Sequence, residues 1–243
     1  MKICASQTRP VAGDITANMG KHFSLIDMAS GLGADLIMFP ELSLSGYEPR
    51  LARSLAMDAN DPCLDRFQQA SSAHNLFIAI GIPLKLGSAV QIGMVWFAPG
   101  APRLVYAKQQ LHPDEQSYFV PGEQPLVMEV ADRKLAPAIC YESLQSNHAL
   151  TASQMGADVY LASVAKSAET LAKASIQYPT IARRHGMYIV MANCVGHSDG
   201  FVCVGQSAAW GARGEVLAQM NTDEEGVIVL DTDLGTASVH TLK

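Results

Sequence analysis

No apolar run in the sequence approaches the ~20 residues needed to cross a bilayer. Met1-Lys2-Ile3-Cys4-Ala5-Ser6-Gln7 has one basic residue but no long apolar stretch after it, so no secretory leader is read there. The expected location is therefore cytoplasmic, with no membrane partner. Basic clusters are also missing: Arg183–Arg184 is the longest pair, and the net charge is −6. Such a surface has nothing with which to track phosphates, so a nucleic-acid partner is not expected. Charged residues make up only 16% of the chain, well below the globular average. Either Ser, Thr, Asn and Gln complete the surface or a second subunit covers part of it. The cysteines number five, Cys4, Cys63, Cys140, Cys194 and Cys203. An odd count without close pairs is a poor disulfide framework, and no C-x2-C or H-x3-H spacing suggests zinc. Repeats, low-complexity tracts and linkers are absent too, so residues 1–243 read as one domain.

What is present is an alternation of short apolar runs with helical patterns. Ile3-Cys4-Ala5 reads as a buried strand. Ile15, Met19, Phe23 and Ile26 then recur at helical spacing, and Gly31 and Gly33 can end that helix. Asp35 to Phe39 is a second strand, stopped by Pro40. A helix near Asp65 to His74 precedes a strand from Phe77 to Ile82. Gln91 to Ala98 and Arg103 to Ala107 form a hairpin around Pro99-Gly100-Ala101-Pro102. In the second half, strands Leu126 to Val130 and Leu135 to Ile139 flank a turn at Asp132-Arg133. A helix near Gln145 to Met155, a strand Asp158 to Ala162, a long helix near Glu169 to His185 and a strand Tyr188 to Met191 follow. Short strands near Val202, Ala208, Val216 and Val227 close the pattern. This is an α/β chain with a mixed sheet and enough strands for two.

Three reactive side chains fall just beyond predicted strand ends, the edge at which open α/β sheets bind ligands. Glu41, in Phe39-Pro40-Glu41-Leu42-Ser43, is ordinarily a turn acid; against apolar walls its pKa rises and it becomes a general base. Lys108 ends the hairpin's second strand. Such a lysine is usually solvated, but fixed in place it is a cation for developing oxyanion charge. Glu115, a few residues on, can hold Lys108 charged and oriented. Cys140, in Pro137-Ala138-Ile139-Cys140-Tyr141-Glu142, has the strand–turn–helix setting of a nucleophile elbow. A helix N-terminus and a nearby cation would lower its pKa and make it thiolate. Glu142 reads as a helix-start carboxylate. Each signal alone is common; their recurrence at one topological position is not.

Together these residues resemble the nitrilase superfamily of carbon–nitrogen hydrolases. Phe39-Pro40-Glu41 with Ser45-Gly46-Tyr47 resembles the first signature region. Lys108, Leu111, Glu115 and Tyr118-Phe119-Val120-Pro121-Gly122 resemble the second, and Cys140-Tyr141-Glu142 the third. Gly33-Ala34-Asp35-Leu36-Ile37, Met191 to Gly196, Gly205-Gln206-Ser207, Gly214 to Ala218 and Glu225 to Asp231 extend the similarity over nearly the whole chain. The resemblance implies a four-layer α-β-β-α sandwich with two mixed β-sheets, and a homodimer that extends the layers. It also implies Cys140 as nucleophile, Glu41 as base, Lys108 as oxyanion partner and Glu115 as an additional active-site glutamate. The Tyr141 N–H would be the second oxyanion donor, and Tyr47, Tyr141 and Val164 would shape the substrate pocket. No metal or organic cofactor is implied.

The expected activity is hydrolysis of a small amide through a Cys-bound acyl intermediate. A nitrile, an N-carbamoyl amine, acyl transfer to an amine, or non-catalytic binding on this fold are the alternatives. A Cys/His pair using His112 or His148 is a further rival. The sequence departs from the family after Tyr141, where Arg and then Phe-Pro-Glu are frequent and Glu142-Ser143-Leu144-Gln145 stands here. It departs again at Ser163-Val164-Ala165-Lys166, where an aromatic residue is frequent and Val164 would leave a smaller wall.

Overall fold

A computed structural model describes residues 1–242. The chain opens with β1 (Lys2–Gln7) and the helix α1 (Ile15–Gly31), whose N-cap Asp14 accepts a hydrogen bond from the Ala17 N–H at 2.9 Å. The strand β2 (Leu36–Met38), the short α2 (Ala52–Leu55), α3 (Asp65–His74), β3 (Phe77–Leu86), β4 (Ala89–Phe97) and β5 (Leu104–Ala107) follow. Next come β6 (Met128–Val130), β7 (Arg133–Ile139), α4 (Ser146–Gln154), β8 (Val159–Val164), α5 (Ala168–His185) and β9 (Tyr188–Asn193). The hairpin β10 (Val195–Ser198) and β11 (Phe201–Val204) leads to β12 (Ala208–Trp210), β13 (Val216–Gln219), β14 (Gly226–Asp231) and β15 (Thr236–Thr241).

The strands form two mixed sheets, ordered β15-β14-β1-β2-β3-β4-β5 and β13-β12-β9-β8-β7-β6. Each has a parallel centre, β1-β2-β3 in one and β7-β8-β9 in the other, extended by antiparallel pairs. Period-two alternation decides which side chains meet which layer. In β2, Leu36 and Met38 face the other sheet, while Ile37 packs under α1 and α3 with Leu25, Ile26 and Phe67. In β8, Val159 and Leu161 face inward, while Tyr160, Ala162 and Val164 pack under α4 and α5 with Ala149 and Tyr178. One apolar core between the sheets and one outside each make the four layers α-β-β-α expected from the resemblance.

The expected elements are present, with boundaries moved by a few residues. The turn between β6 and β7 falls at Ala131-Asp132, because Arg133 already pairs with Val130. The sequence reading missed β10 and β15. β15 reads Thr-Ala-Ser-Val-His-Thr, a polar edge strand with no hydrophobic alternation strong enough to mark it. No helix among the described residues is long and apolar enough to cross a membrane.

Candidate active site

Glu41, Lys108, Glu115 and Cys140 converge where strands of the two sheets end. Glu41 lies three residues past β2, on a segment folded against β3: Phe39 N–H donates to Ala79 O (2.8 Å) and Leu44 N–H to Gly81 O (3.1 Å). Gly81 makes this possible. A Cβ there would stand 2.5 Å from Pro40 O and Leu42 N, backbone atoms with no room to retreat. Leu42 takes a positive φ of 51° to complete the turn.

Lys108 follows β5 and is wholly buried. Its Nζ donates to Glu41 Oε1 and to Glu115 Oε1, both at 2.7 Å. Burial alone would push the ammonium down, but the Glu41 and Glu115 carboxylates more than reverse this and hold it above the ordinary lysine value. Glu115 lies on the 3-10 turn Pro113–Ser117. It also accepts from Tyr47 Oη (2.9 Å) and, through Oε2, from the His112 N–H (2.8 Å). Glu41 is the less satisfied acid: its buried Oε2 has no hydrogen-bond partner. Burial pushes the Glu41 carboxyl up to about 7, against the opposing pull of Lys108.

Cys140 sits at the turn after β7 with φ 47°, a conformation L side chains rarely adopt outside strained sites. The 3-10 turn Glu142–Leu144 and then α4 follow it, giving the elbow expected from the sequence. The Tyr141 N–H makes no hydrogen bond among the described residues. The expectation of a low thiol pKa is not met. Burial, then the nearby Glu41 charge, push Cys140 up to about 12. The helix that was to lower it begins only at Ser146, behind the intervening 3-10 turn. A resting thiol of this kind needs a base at the moment of attack.

A buried carboxylate locks the elbow in place. Glu142 Oε1 accepts from the Ile139 N–H (2.8 Å) and Tyr106 Oη (2.7 Å); Oε2 accepts from the Gln109 and Gln110 N–H groups (2.7 and 3.1 Å). Residues just before Cys140 and just after Lys108 are thus bound to one side chain. Glu142 does begin a helical turn, as read from sequence, but its four hydrogen bonds bridge the segments that carry Cys140 and Lys108. Behind it, His148 Nε2 lies 2.9 Å from Tyr106 Oη and Nδ1 2.7 Å from Tyr160 Oη. Burial pushes His148 below the ordinary histidine range, so it is neutral; with the Tyr106 proton given to Glu142, Nε2 carries the hydrogen. His112 packs edge-on against Tyr141, ring centroids 5.2 Å apart. Neither histidine hydrogen-bonds to Cys140, whose Sγ lies 3.7 Å from Ala165 O and 3.9 Å from Lys166 Nζ.

Cys140 opens into a cavity of about 490 Å³ with Tyr47, Tyr141, Ala165, Lys166 and Phe201 in its walls. Tyr47 and Tyr141 both line this cavity. Val164 does not: as an outward-facing residue of β8 it is wholly buried under α5, and no part of it lines the cavity. The wall there is Lys166, two residues on. It lies just past a strand end, as Glu41, Lys108 and Cys140 do, and the same rule applied to β8 would have found it.

Residues 2–239 match the carbon-nitrogen hydrolase family, and the chain belongs to it. A glutamine-dependent NAD(+) synthetase of Thermotoga maritima is 28% identical over 96% of this chain and 42% of its own length. The chain thus spans less than half of the first curated relatives it matches. An (R)-stereoselective amidase of a Pseudomonas species is 27% identical, over 96% of this chain and 86% of that protein. Among solved structures, an amidase of Nesterenkonia sp. AN1 superposes with a TM-score of 0.87 and 26% identity, over 95% of this chain and 92% of that one. Other solved forms of that amidase hold butyramide, or carry covalent additions at its active-site cysteine.

Proposed function

We propose that this chain hydrolyses a small amide, as one catalytic domain, through an acyl group carried on Cys140. One observation carries the reading: a buried ammonium, Lys108, bridges two carboxylates, and one of them, Glu41, keeps an unpartnered oxygen and acts electrostatically on the Cys140 thiol, which sits on a strained elbow. The Sγ–H bond breaks toward Glu41 Oε2, and the sulfur pair forms the bond to the amide carbon. The carbonyl π pair moves to oxygen, held by Lys108 Nζ and the free Tyr141 N–H. The C–N bond then breaks as the leaving nitrogen takes the proton from Glu41. A water that gives its proton to Glu41 attacks the thioester and restores the thiol. Glu115 positions Lys108 and Tyr47 throughout.

The partly aromatic cavity suits a small amide, and the butyramide bound by the Nesterenkonia amidase supports that class. A second reading, favoured by the glutamine-dependent relatives, is the side-chain amide of glutamine. The deciding experiment is ammonia release from butyramide, glutamine, a carbamoyl amine and a nitrile, with Cys140→Ala alongside. Release by the wild type and none by the variant is expected; release that survives the substitution would end the thiol mechanism, and acyl transfer would appear as amide exchange on adding an amine. A homodimer belongs to the same proposal, since α4 and α5 expose Leu150 and Ile176 on the outer face.

A further inference from the structure

Lys166 is a second buried ammonium in the catalytic cavity, and the mechanism above does not use it. It is 1% exposed. No carboxylate lies within 4.0 Å of its Nζ among the described residues, and the one side-chain hydrogen-bond partner of Nζ is Cys140 Sγ, at 3.9 Å. An ammonium taken out of water without a counter-charge is costly, so a site that keeps one has a negative charge to meet at some stage. The backbone is built to aim it. The Lys166 N–H donates to Asn193 Oδ1 (2.8 Å), its carbonyl accepts from the Val204 N–H (3.2 Å) and Asn193 Nδ2 (3.4 Å), and Asn193 is itself tied to Gly205 O (2.7 Å).

Charge balance says which negative charge that is. Lys108 is shared between Glu41 and Glu115, so these three groups together carry one excess negative charge where a thiolate would have to form. Lys166 removes that excess. The groups facing Cys140 are Glu41, Lys108 and Lys166, with Tyr47, Tyr178 and Cys194 farther out; only the two lysines can oppose a sulfur anion. Of the two, Lys166 pulls the thiol down more strongly than Lys108.

We propose that Lys166 is a catalytic residue of this chain: its Nζ pairs with the Cys140 sulfur as the thiol proton passes to Glu41, and again when the thiolate leaves the acyl group. This rests on the Cys140 reading above and adds a cation beyond the Glu-Lys-Cys set. In both half-reactions the electron pair on sulfur is transiently free, and Lys166 holds it without exchanging a proton.

The test is site-resolved alkylation by iodoacetamide across pH, read by peptide mass spectrometry in wild type, Lys166→Met and Lys166→Arg, with exposed Cys63 as internal standard. In Lys166→Met, Cys140 labelling at neutral pH should fall about tenfold or more relative to Cys63, the thiolate fraction dropping tenfold for each unit the thiol rises. Its profile should move to higher pH. Turnover of butyramide should fall with it, in kcat more than KM. Removing an unpaired buried charge should leave the melting temperature unchanged or higher. Lys166→Arg, which keeps the charge, should retain most of the labelling. Equal loss in both variants, or a melting temperature lowered in both, would make Lys166 a packing residue. Unchanged labelling with a raised KM confined to amides bearing a carboxylate would assign it to substrate instead. If Cys140 is not labelled in the wild type, or activity survives Cys140→Ala, the hydrolase reading itself fails.

Discussion

At the scale of single residues, the site is a problem in buried charge. Glu41 at about 7 and Cys140 at about 12 mean that near neutral pH the thiol is protonated and the carboxyl only partly ionised. A base works only when ionised, so kcat/KM for a neutral amide should fall as pH drops through about 7, and a pH–rate profile checks this. Glu41→Gln should lose that limb together with about 10²–10⁴-fold in turnover. Lys108→Met removes the proposed oxyanion donor and leaves two carboxylates facing each other; a loss of at least ~10²–10³ in kcat is expected. Glu142 carries a separate prediction. Glu142→Gln turns an amide NH₂ on donors that all need an acceptor, for a cost of about 3 kcal/mol by urea denaturation. Activity should fall further than stability explains, because the same side chain sets the distance between Cys140 and Lys108.

At the scale of elements, the reactive residues are placed by the turns after strands. Glu41 depends on Gly81 of β3. Gly81→Ala puts a methyl 2.5 Å from the Pro40–Leu42 backbone and should cost about 1–3 kcal/mol, with loss of turnover from the displaced carboxylate. The same segment is held from the other side by α1. His22 Nδ1 donates to Asn18 O (2.7 Å), Nε2 accepts from Ser43 Oγ (2.9 Å), and the ring stacks on Phe39 at 4.0 Å. Burial pushes His22 down to about 4. Between that value and the unfolded 6.5 the unfolded chain binds the extra proton, so His22 lowers stability as pH falls through this window. Glu41, shifted upward, works in the opposite direction over 4.5 to about 7. Urea midpoints at pH 7 and pH 5 in wild type and His22→Gln separate the two: the variant should lack the acid-side loss of His22, worth at most about 2 kcal/mol over that interval.

At the scale of the molecule, two sheets face each other so that strand ends from both enclose one cavity. Neither sheet alone holds a complete site: Glu41 and Lys108 follow strands of one, Cys140 and Lys166 follow strands of the other. Ser163 Oγ, donating to Phe39 O at 2.9 Å, ties the two directly beneath the site. The outer helices expose apolar side chains, among them Ile176 at 70% exposure, more than an outward-facing helix position needs. Sedimentation velocity should find a dimer, and Ile176→Glu should shift it toward monomer while leaving the isolated fold stable.

The sequence by itself determined most of the elements and which reactive side chains fall at their ends. Hydrophobic spacing marked the central strands and long helices, and ordered motifs pointed to Glu41, Lys108, Glu115 and Cys140, because period and strand-end position are local properties. Tertiary structure decided what depends on neighbours far along the chain. Val164 and Lys166 are two residues apart, yet one is core and the other cavity wall, since the strand's alternation gives way to a loop pinned by Asn193. Glu142 bonds to residues more than thirty positions away, which no motif spacing records. The thiol's protonation, too, was set by burial and by the charges gathered around it, quantities that exist only once the two sheets have closed on each other.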